Sequence, residues 1–229
     1  VLLQRGVVGV ALSYLIGSIA VQVIFSLYIV KKTRKMPGKA GFSMENLGVL
    51  SKFGIYFLLA SMAGFLIAYT DTIVLTALRS LEEVGLYQVA ISTSQVLWGV
   101  ALALSVVLMP VLSEMWAKNE KDKVSKGVSF LLKFVMIILI PATMLMVTFS
   151  EVVINILFGS RYLGASTSLQ ILSFGAIFYS LLTIYSTTLA SIGRPDASTK
   201  ITIFVGLFNL AANFVLVQAM GIMGAAIAT

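Results

Sequence analysis

The sequence contains no cysteine and no histidine, and only 11% of its 229 residues are charged. The first two absences exclude disulfides, thiolate chemistry, histidine-ligated haem or zinc, and histidine general bases together. The low charge excludes most soluble folds, in which about a quarter of the residues are charged. Acid is scarcer than base: nine Asp and Glu face sixteen Lys and Arg, a net charge of +7. In a soluble chain that imbalance would suggest nucleic acid. Here the bases sit in short loops between apolar runs, the pattern of membrane orientation rather than of nucleic-acid binding.

What is present is hydrocarbon: 59% of residues are hydrophobic and the mean hydropathy is +1.02. The apolar runs are about 20 residues or longer and do not alternate, so they predict membrane helices rather than barrel strands. The expected fold is an all-α integral membrane protein, a polytopic helix bundle. The spans read as 7–30, 53–78, 86–110, 128–149, 167–191 and 199–218, with a further helix beginning at Gly221. The opening in mid-run at Val1 and the short run after Gly221 predict an internal fragment of a longer, transporter-like chain.

Between the spans lie the basic run KKTRKMPGKAG (31–41), an amphipathic lead-in over 42–52 with Ser43 as its N-cap, and a polar turn, RSLEEVG (79–85). A solvated loop is expected over 113–127 and an interfacial re-entry loop over 150–166. The turn GRPDAS (193–198) offers Asp196 or Ser198 as the next helix cap. Pro110 is expected to end the third span and Pro141 to kink the fourth. Because loops alternate sides, thirteen of the sixteen Lys and Arg fall on the side of 31–52, 113–133 and 193–200. Arg5, Arg79 and Arg161 fall on the other. That asymmetry predicts a cytoplasmic location for loops 31–52, 113–127 and 193–198.

One acid, Asp71, lies inside the second span with no charged residue within seven positions on either side. A carboxylate in hydrocarbon costs about 2.5–3.5 kcal/mol on insertion scales. Either it serves a purpose, or it caps residues 72–78 after a local helix break, or it reaches the outer interface. Tyr87, Gln88, Ser92, Thr93, Ser94 and Gln95 make a polar stripe at the start of the third span. Those groups predict a neighbour or a wet cavity, or hydrogen bonding between helices alone.

Several phrases occur in order: TDTIVLTALRSLEEVGLYQVA, MPVLSEMWAKNEKDKV, ILFGSRYLGASTSLQILSFG and LASIGRPDASTKITIFVGLFNLAANFVLVQAMGIMGAAIAT. From about Glu45 to Thr229 the chain resembles the polysaccharide biosynthesis flippase family of the multidrug/oligosaccharidyl-lipid/polysaccharide exporter superfamily. The resemblance implies two lobes of six helices that move lipid-linked sugars from the cytoplasmic to the outer leaflet by alternating access. It implies that 1–30 holds the last helix of the first lobe, 31–44 the cytoplasmic inter-lobe linker and 45–229 an incomplete second lobe.

The implied cargo is a polyprenyl-phosphate-linked glycan, whose phosphates need cations and whose sugars need hydrogen-bonding or stacking groups. Lys52 is a candidate head-group contact or a simple positive-inside anchor. Arg79 and Arg161 are candidates for phosphate release or for pairing with Glu82, Glu83 or Glu151. Asp71 is the candidate coupling or conformational residue, binding H+ or Na+ or pairing with a base of the other lobe. Tyr87, Gln88, Gln95, Asn209 and Asn213 are substrate-cavity candidates, and Gly221 and Gly224 are read as helix-packing positions. No catalytic residue, resident cofactor or metal ligand is expected. A cation-coupled multidrug extruder of the same superfamily is the alternative, although it would present more acids inside the lobes. A membrane enzyme would need a carboxylate or histidine cluster in a large loop, and the longest loops here are under about 20 residues. A scaffold without transport activity is the fourth reading.

Overall fold

The computed structural model describes residues 6–33 and 44–229, with some side chains of the first helix and of the early second helix, Lys52 among them, outside the described set. The chain divides into two units, 1–47 and 48–229, each described by itself. The first carries α1, Gly6–Thr33, whose apolar side chains are exposed from Leu12 to Val30. Ser13 and Ser18 in this helix turn their hydroxyls back onto the carbonyls of Gly9 and Tyr14, which hides the polar groups from hydrocarbon.

Beyond α1, α2 (Met44–Leu78, in the second unit from Gly48 on), α3 (Leu81–Ala117), α4 (Lys121–Thr148), α6 (Ser166–Ser191) and α7 (Pro195–Met220) are long apolar helices. A short helix α5 (Ser150–Phe158) and a 3-10 turn (Ser160–Ala165) join α4 to α6, and α8 (Ile222–Ala228) follows α7. Six helices among the described residues are long and apolar enough to cross a membrane. No strand occurs among those residues, and the chain is a polytopic all-α membrane protein. Away from their ends helices close their backbone hydrogen bonds within themselves, which is what hydrocarbon demands.

α3 and α6 are the central pair. They pack extensively on each other, and α6 also touches α4, α7 and α8. One buried cluster joins Leu75, Tyr87, Ala90, Ile154, Leu169, Val217 and Ala225 at one end of the unit. A second joins Leu97 and Ala101 of α3 to Leu131, Val135 and Leu139 of α4 and to Ala176 and Ile184 of α6. Outward faces carry Phe65, Val106, Phe130 and Phe204, all exposed.

Several local expectations are corrected. α3 runs through Pro110 to Ala117. A proline removes one donor, yet the helix is continuous past it, and an exposed Glu114–Lys118 ion pair of 2.5 Å lies at its end. The expected loop 113–127 therefore shrinks to Lys118–Glu120. There Glu114 holds the exposed Lys118 ammonium above its usual range by hydrogen bonding and by charge. The expected turn 79–85 shrinks likewise, because Ser80 caps α3 by accepting from the Glu83 amide at 3.3 Å. α7 begins at Pro195, with Arg194 as its N-cap and no side-chain cap bond. Proline at the first helical position has its φ preset and loses no bond, so neither Asp196 nor Ser198 serves as the cap. Residues 150–158 are helical rather than looped. Pro141 lies inside α4, within the span where it was expected. Ser43 lies outside the described residues.

Candidate functional site

α2 is unbroken past Asp71, so that residue does not cap a new helix. Nor does it reach an interface, because it is 0% exposed. Its neighbours are hydroxyls. Oδ2 accepts a hydrogen bond from the Tyr87 hydroxyl at 2.5 Å and from Thr229 Oγ1 at 3.4 Å. Oδ1 accepts from the Thr72 amide at 2.6 Å and from Thr72 Oγ1 at 3.3 Å. Tyr87 and Thr229 also touch each other, at 3.3 Å. The side-chain ion pairs among the described residues involve Glu114, Glu120 and Asp196, so no Lys or Arg there neutralises Asp71.

The cluster extends into α7 through α8. Asn209 Nδ2 donates to the carbonyl of Ala228, one residue before Thr229, at 3.1 Å. Asn213 Nδ2 donates in turn to Asn209 O and Oδ1, at 3.1 and 3.2 Å. Asn213 is fully buried, and its Oδ1 has no hydrogen-bond partner. Four of the residues predicted from sequence, Asp71, Tyr87, Asn209 and Asn213, thus share one polar network inside the bundle. Gln88 touches its edge, donating to Thr72 Oγ1 at 3.4 Å. Thr72 and Thr229 are not singled out in the sequence, where Thr72 is one of two threonines flanking Asp71 and Thr229 follows an alanine-rich run.

The structure places the other candidates elsewhere. Gln95 is exposed and lines a cavity of about 70 Å³ with Ser94, Trp98, Tyr179 and Thr229. That cavity meets the Asp71 network at Thr229. Trp98 and Tyr179 stand edge to face there, with centroids 4.6 Å apart. The polar stripe on α3 splits: Tyr87, Thr93 and Ser94 are buried, while Gln88, Ser92 and Gln95 are exposed. Ser92, Thr93 and Ser94 bond back to carbonyls of their own helix.

Arg79 neither pairs with Glu82 or Glu83 nor offers an uncommitted cation. Its guanidinium donates to the last carbonyls of α7, from Nε and Nη2 to Val217 O at 3.2 and 2.8 Å and from Nη2 to Gln218 O at 2.8 Å. The last carbonyls of a helix carry negative partial charge, and Val217 O, which also accepts from the Gly221 amide at 3.0 Å, has a second lone pair for the guanidinium. Arg161 is exposed in the 3-10 turn and forms no ion pair with Glu151. The side chain of Lys52 lies outside the described residues. Among those residues no three of Asp, Glu, His or Cys gather as a metal centre.

α7 and α2 run side by side in the same direction. Thr199 Oγ1 donates to Tyr56 O at 3.1 Å near the basic end. At mid-height, the Cβ that Gly206 lacks would stand 3.3 Å from Ala63 O. Arg79 closes the far end.

A family model described as polysaccharide biosynthesis protein matches residues 1–167. An uncharacterised membrane protein of Methanocaldococcus jannaschii is 37% identical over 222 residues, covering 96% of this chain and 44% of the relative. A probable low-salt glycan biosynthesis flippase of Haloferax volcanii is 26% identical over 229 residues, covering 100% of this chain and 48% of the relative. A second uncharacterised membrane protein of M. jannaschii is 26% identical over 232 residues, covering 96% of this chain and 53% of the relative. The chain spans about half the length of the curated relatives it matches. No solved structure matches.

Proposed function

The chain belongs to the polysaccharide biosynthesis protein family, and from that premise we propose that the whole protein flips a lipid-linked oligosaccharide across the membrane. The cargo is a polyprenyl-phosphate-linked glycan, carried from the cytoplasmic to the outer leaflet by alternating access between this lobe and a second one. Similarity along the whole chain to a probable glycan biosynthesis flippase supports that reading. The protein acts as a transporter rather than as an enzyme. Lys52, at the basic end of α2, and Arg161, at the other end, are its candidate contacts to the cargo's phosphates.

The observation that carries the mechanism is the uncompensated Asp71 carboxylate, buried among Tyr87, Thr72 and Thr229. A carboxylate held in a low-dielectric bundle needs its charge balanced. A proton on the carboxyl group or a sodium ion beside it achieves that, and each links the packing of α2, α3 and α8 to an ion gradient. In the empty state the hydroxyl network holds the site together. On loading, the balanced carboxyl group lets α2 and α3 re-pack as the lobe changes face.

Asp71→Asn in the full-length protein keeps the shape and removes the charge. It is expected to insert normally and to lose most of the translocation of a fluorescent lipid-linked oligosaccharide in proteoliposomes. Wild-type rates from that variant would overturn the coupling role. Collapsing the proton and sodium gradients separately identifies the ion.

A further inference from the structure

The basic end of the second unit holds a cavity that the Asp71 network does not use. It measures about 340 Å³ and lies between α2, α3, α6 and α7, within the range of about 300–1,000 Å³ typical of ligand pockets. Six of its ten lining residues carry hydroxyls: Ser61, Ser186, Thr187, Ser198, Thr199 and Thr202. No charged residue lines it, and Phe57 supplies its one aromatic surface. The wall between those hydroxyls is mostly apolar, so the cavity offers a few hydrogen bonds on a hydrocarbon surface, and without a charge it does not suit a bare anion.

The hydroxyls divide by what they have already spent. Ser61 donates to Phe57 O at 2.8 Å, Thr199 to Tyr56 O at 3.1 Å and Thr202 to Ser198 O at 3.0 Å. Each of these has used its hydrogen and keeps oxygen lone pairs for an incoming donor. Ser186, Thr187 and Ser198 form no side-chain hydrogen bond among the described residues, so each offers a donor and an acceptor. A ligand that matches carries hydroxyls to meet these few groups and apolar faces to lie against Phe57 and the hydrocarbon wall around them.

We infer that this cavity is a sugar subsite, taking a hexose-like unit of the glycan at the cytoplasmic end of the lobe. The inference rests on the flippase reading and adds to it where the sugar is recognised and by which groups. The location is consistent with loading from the basic side, since Arg194 and Lys200 flank the same end of α7. The cavity reads hydroxyls, and the phosphate is left to the cations at the entrance.

The test uses full-length protein in detergent, with a polyprenyl phosphate bearing one hexose and the same polyprenyl phosphate without sugar as probes. Wild type is expected to bind the sugar-bearing lipid about tenfold more tightly, the increment of one or two net hydrogen bonds. The Ser186→Ala/Thr187→Val/Ser198→Ala triple variant is expected to lose that increment and to bind bare lipid as wild type does. Should the triple variant fail to fold, Ser198→Cys in an otherwise cysteine-free background supplies the readout. Its labelling by an impermeant maleimide from the basic side should be blocked by the sugar-bearing lipid and not by bare lipid. A triple variant that keeps the increment, or equal protection by both lipids, overturns the subsite. A wild type that flips the sugar-bearing lipid without binding it more tightly than bare lipid overturns the subsite alone. One that neither flips nor binds it overturns the flippase reading, and the subsite with it.

Discussion

The guanidinium of Arg79 holds the carbonyl of Val217, 138 positions later, through two nitrogens at 3.2 and 2.8 Å. The α2–α3 turn is thereby tied to the point where α7 ends at Gly221 and α8 folds back. The bond is charge-assisted and partly buried, in the class worth about 1.5–3 kcal/mol. Arg79→Gln is expected to lower the thermal unfolding midpoint of the full-length protein in detergent. Arg79→Lys should recover only part of the loss, because an ammonium lacks the two-pronged fork. An unchanged midpoint for Arg79→Gln would show that the clamp contributes nothing.

The fold-back has a second requirement. Gly221 takes φ 60° and ψ −133°, a region open essentially to glycine alone. At Gly224 an added Cβ would stand only 2.0 Å from Leu216 O and 2.4 Å from its carbonyl carbon, so the α7–α8 hairpin closes backbone to backbone. Gly224→Ala is expected to force the helices apart, at a cost of about 1–3 kcal/mol or more. Gly99→Ala meets nothing within 4 Å and should be neutral or slightly stabilising. Comparing the two variants by thermal unfolding separates a packing requirement from a general intolerance of alanine.

Much of this was legible in the sequence, for a physical reason. Hydropathy and the uneven distribution of Lys and Arg are properties of short stretches, so the span count and the isolation of Asp71 could be read without knowing which helices touch. Tyr87, Asn209 and Asn213 were legible as polar groups in lipid-depth segments, where an unpartnered group is costly. The pairings were not. That Thr229 meets Asp71 depends on α8 folding back over α7, that Arg79 meets Val217 depends on α7 lying beside α2, and no local pattern encodes a partner more than a hundred residues away. Helix ends were misread at Pro110 and at Pro195 alike. Proline marks a missing donor, and whether that donor falls inside a helix or at its first residue depends on the neighbouring segments.

The unpartnered Oδ1 of buried Asn213 separates packing from function. Asn213→Leu is close in shape and removes the orphaned oxygen, along with two donations to Asn209. Gains and losses of that size nearly cancel, so stability is expected to stay within about 1 kcal/mol of wild type. If the oxygen serves the coupling site, translocation in proteoliposomes should fall about tenfold at unchanged stability. Full translocation would make Asn213 a packing residue only.

Tyr87 is the strongest donor to Asp71, at 2.5 Å, and it is fully buried. Tyr87→Phe keeps the ring in the cluster formed with Leu75 and Leu169 and deletes only the hydroxyl. Asp71 then relies on Thr72 and Thr229, and the lost bond to a charged acceptor is worth about 1.5–3 kcal/mol. Flipping rates should change by more than tenfold in Tyr87→Phe while the expressed, inserted fraction stays at wild-type levels. In the double variant with Asp71→Asn, the second substitution should add little, because both act on one hydrogen bond. Additive losses in that cycle would mean that Tyr87 acts elsewhere.

Sidedness is tested without any substrate. The turns that carry Lys118 and Arg161 lie at opposite ends of α4 and α5, and both side chains are exposed. With thirteen of sixteen bases on one side, the Lys118 turn should face the cytoplasm. The chain has no native cysteine, so Lys118→Cys and Arg161→Cys each give a single reporter, provided any cysteines elsewhere in the full-length protein are removed. An impermeant maleimide added to intact cells should label Cys at 161 within minutes and spare Cys at 118 until the membrane is opened. The reverse order would invert the bundle and place the hydroxyl-lined cavity at the outer end, where it could receive a sugar only after transfer. Labelling of both positions in intact cells would contradict an odd number of crossings between them.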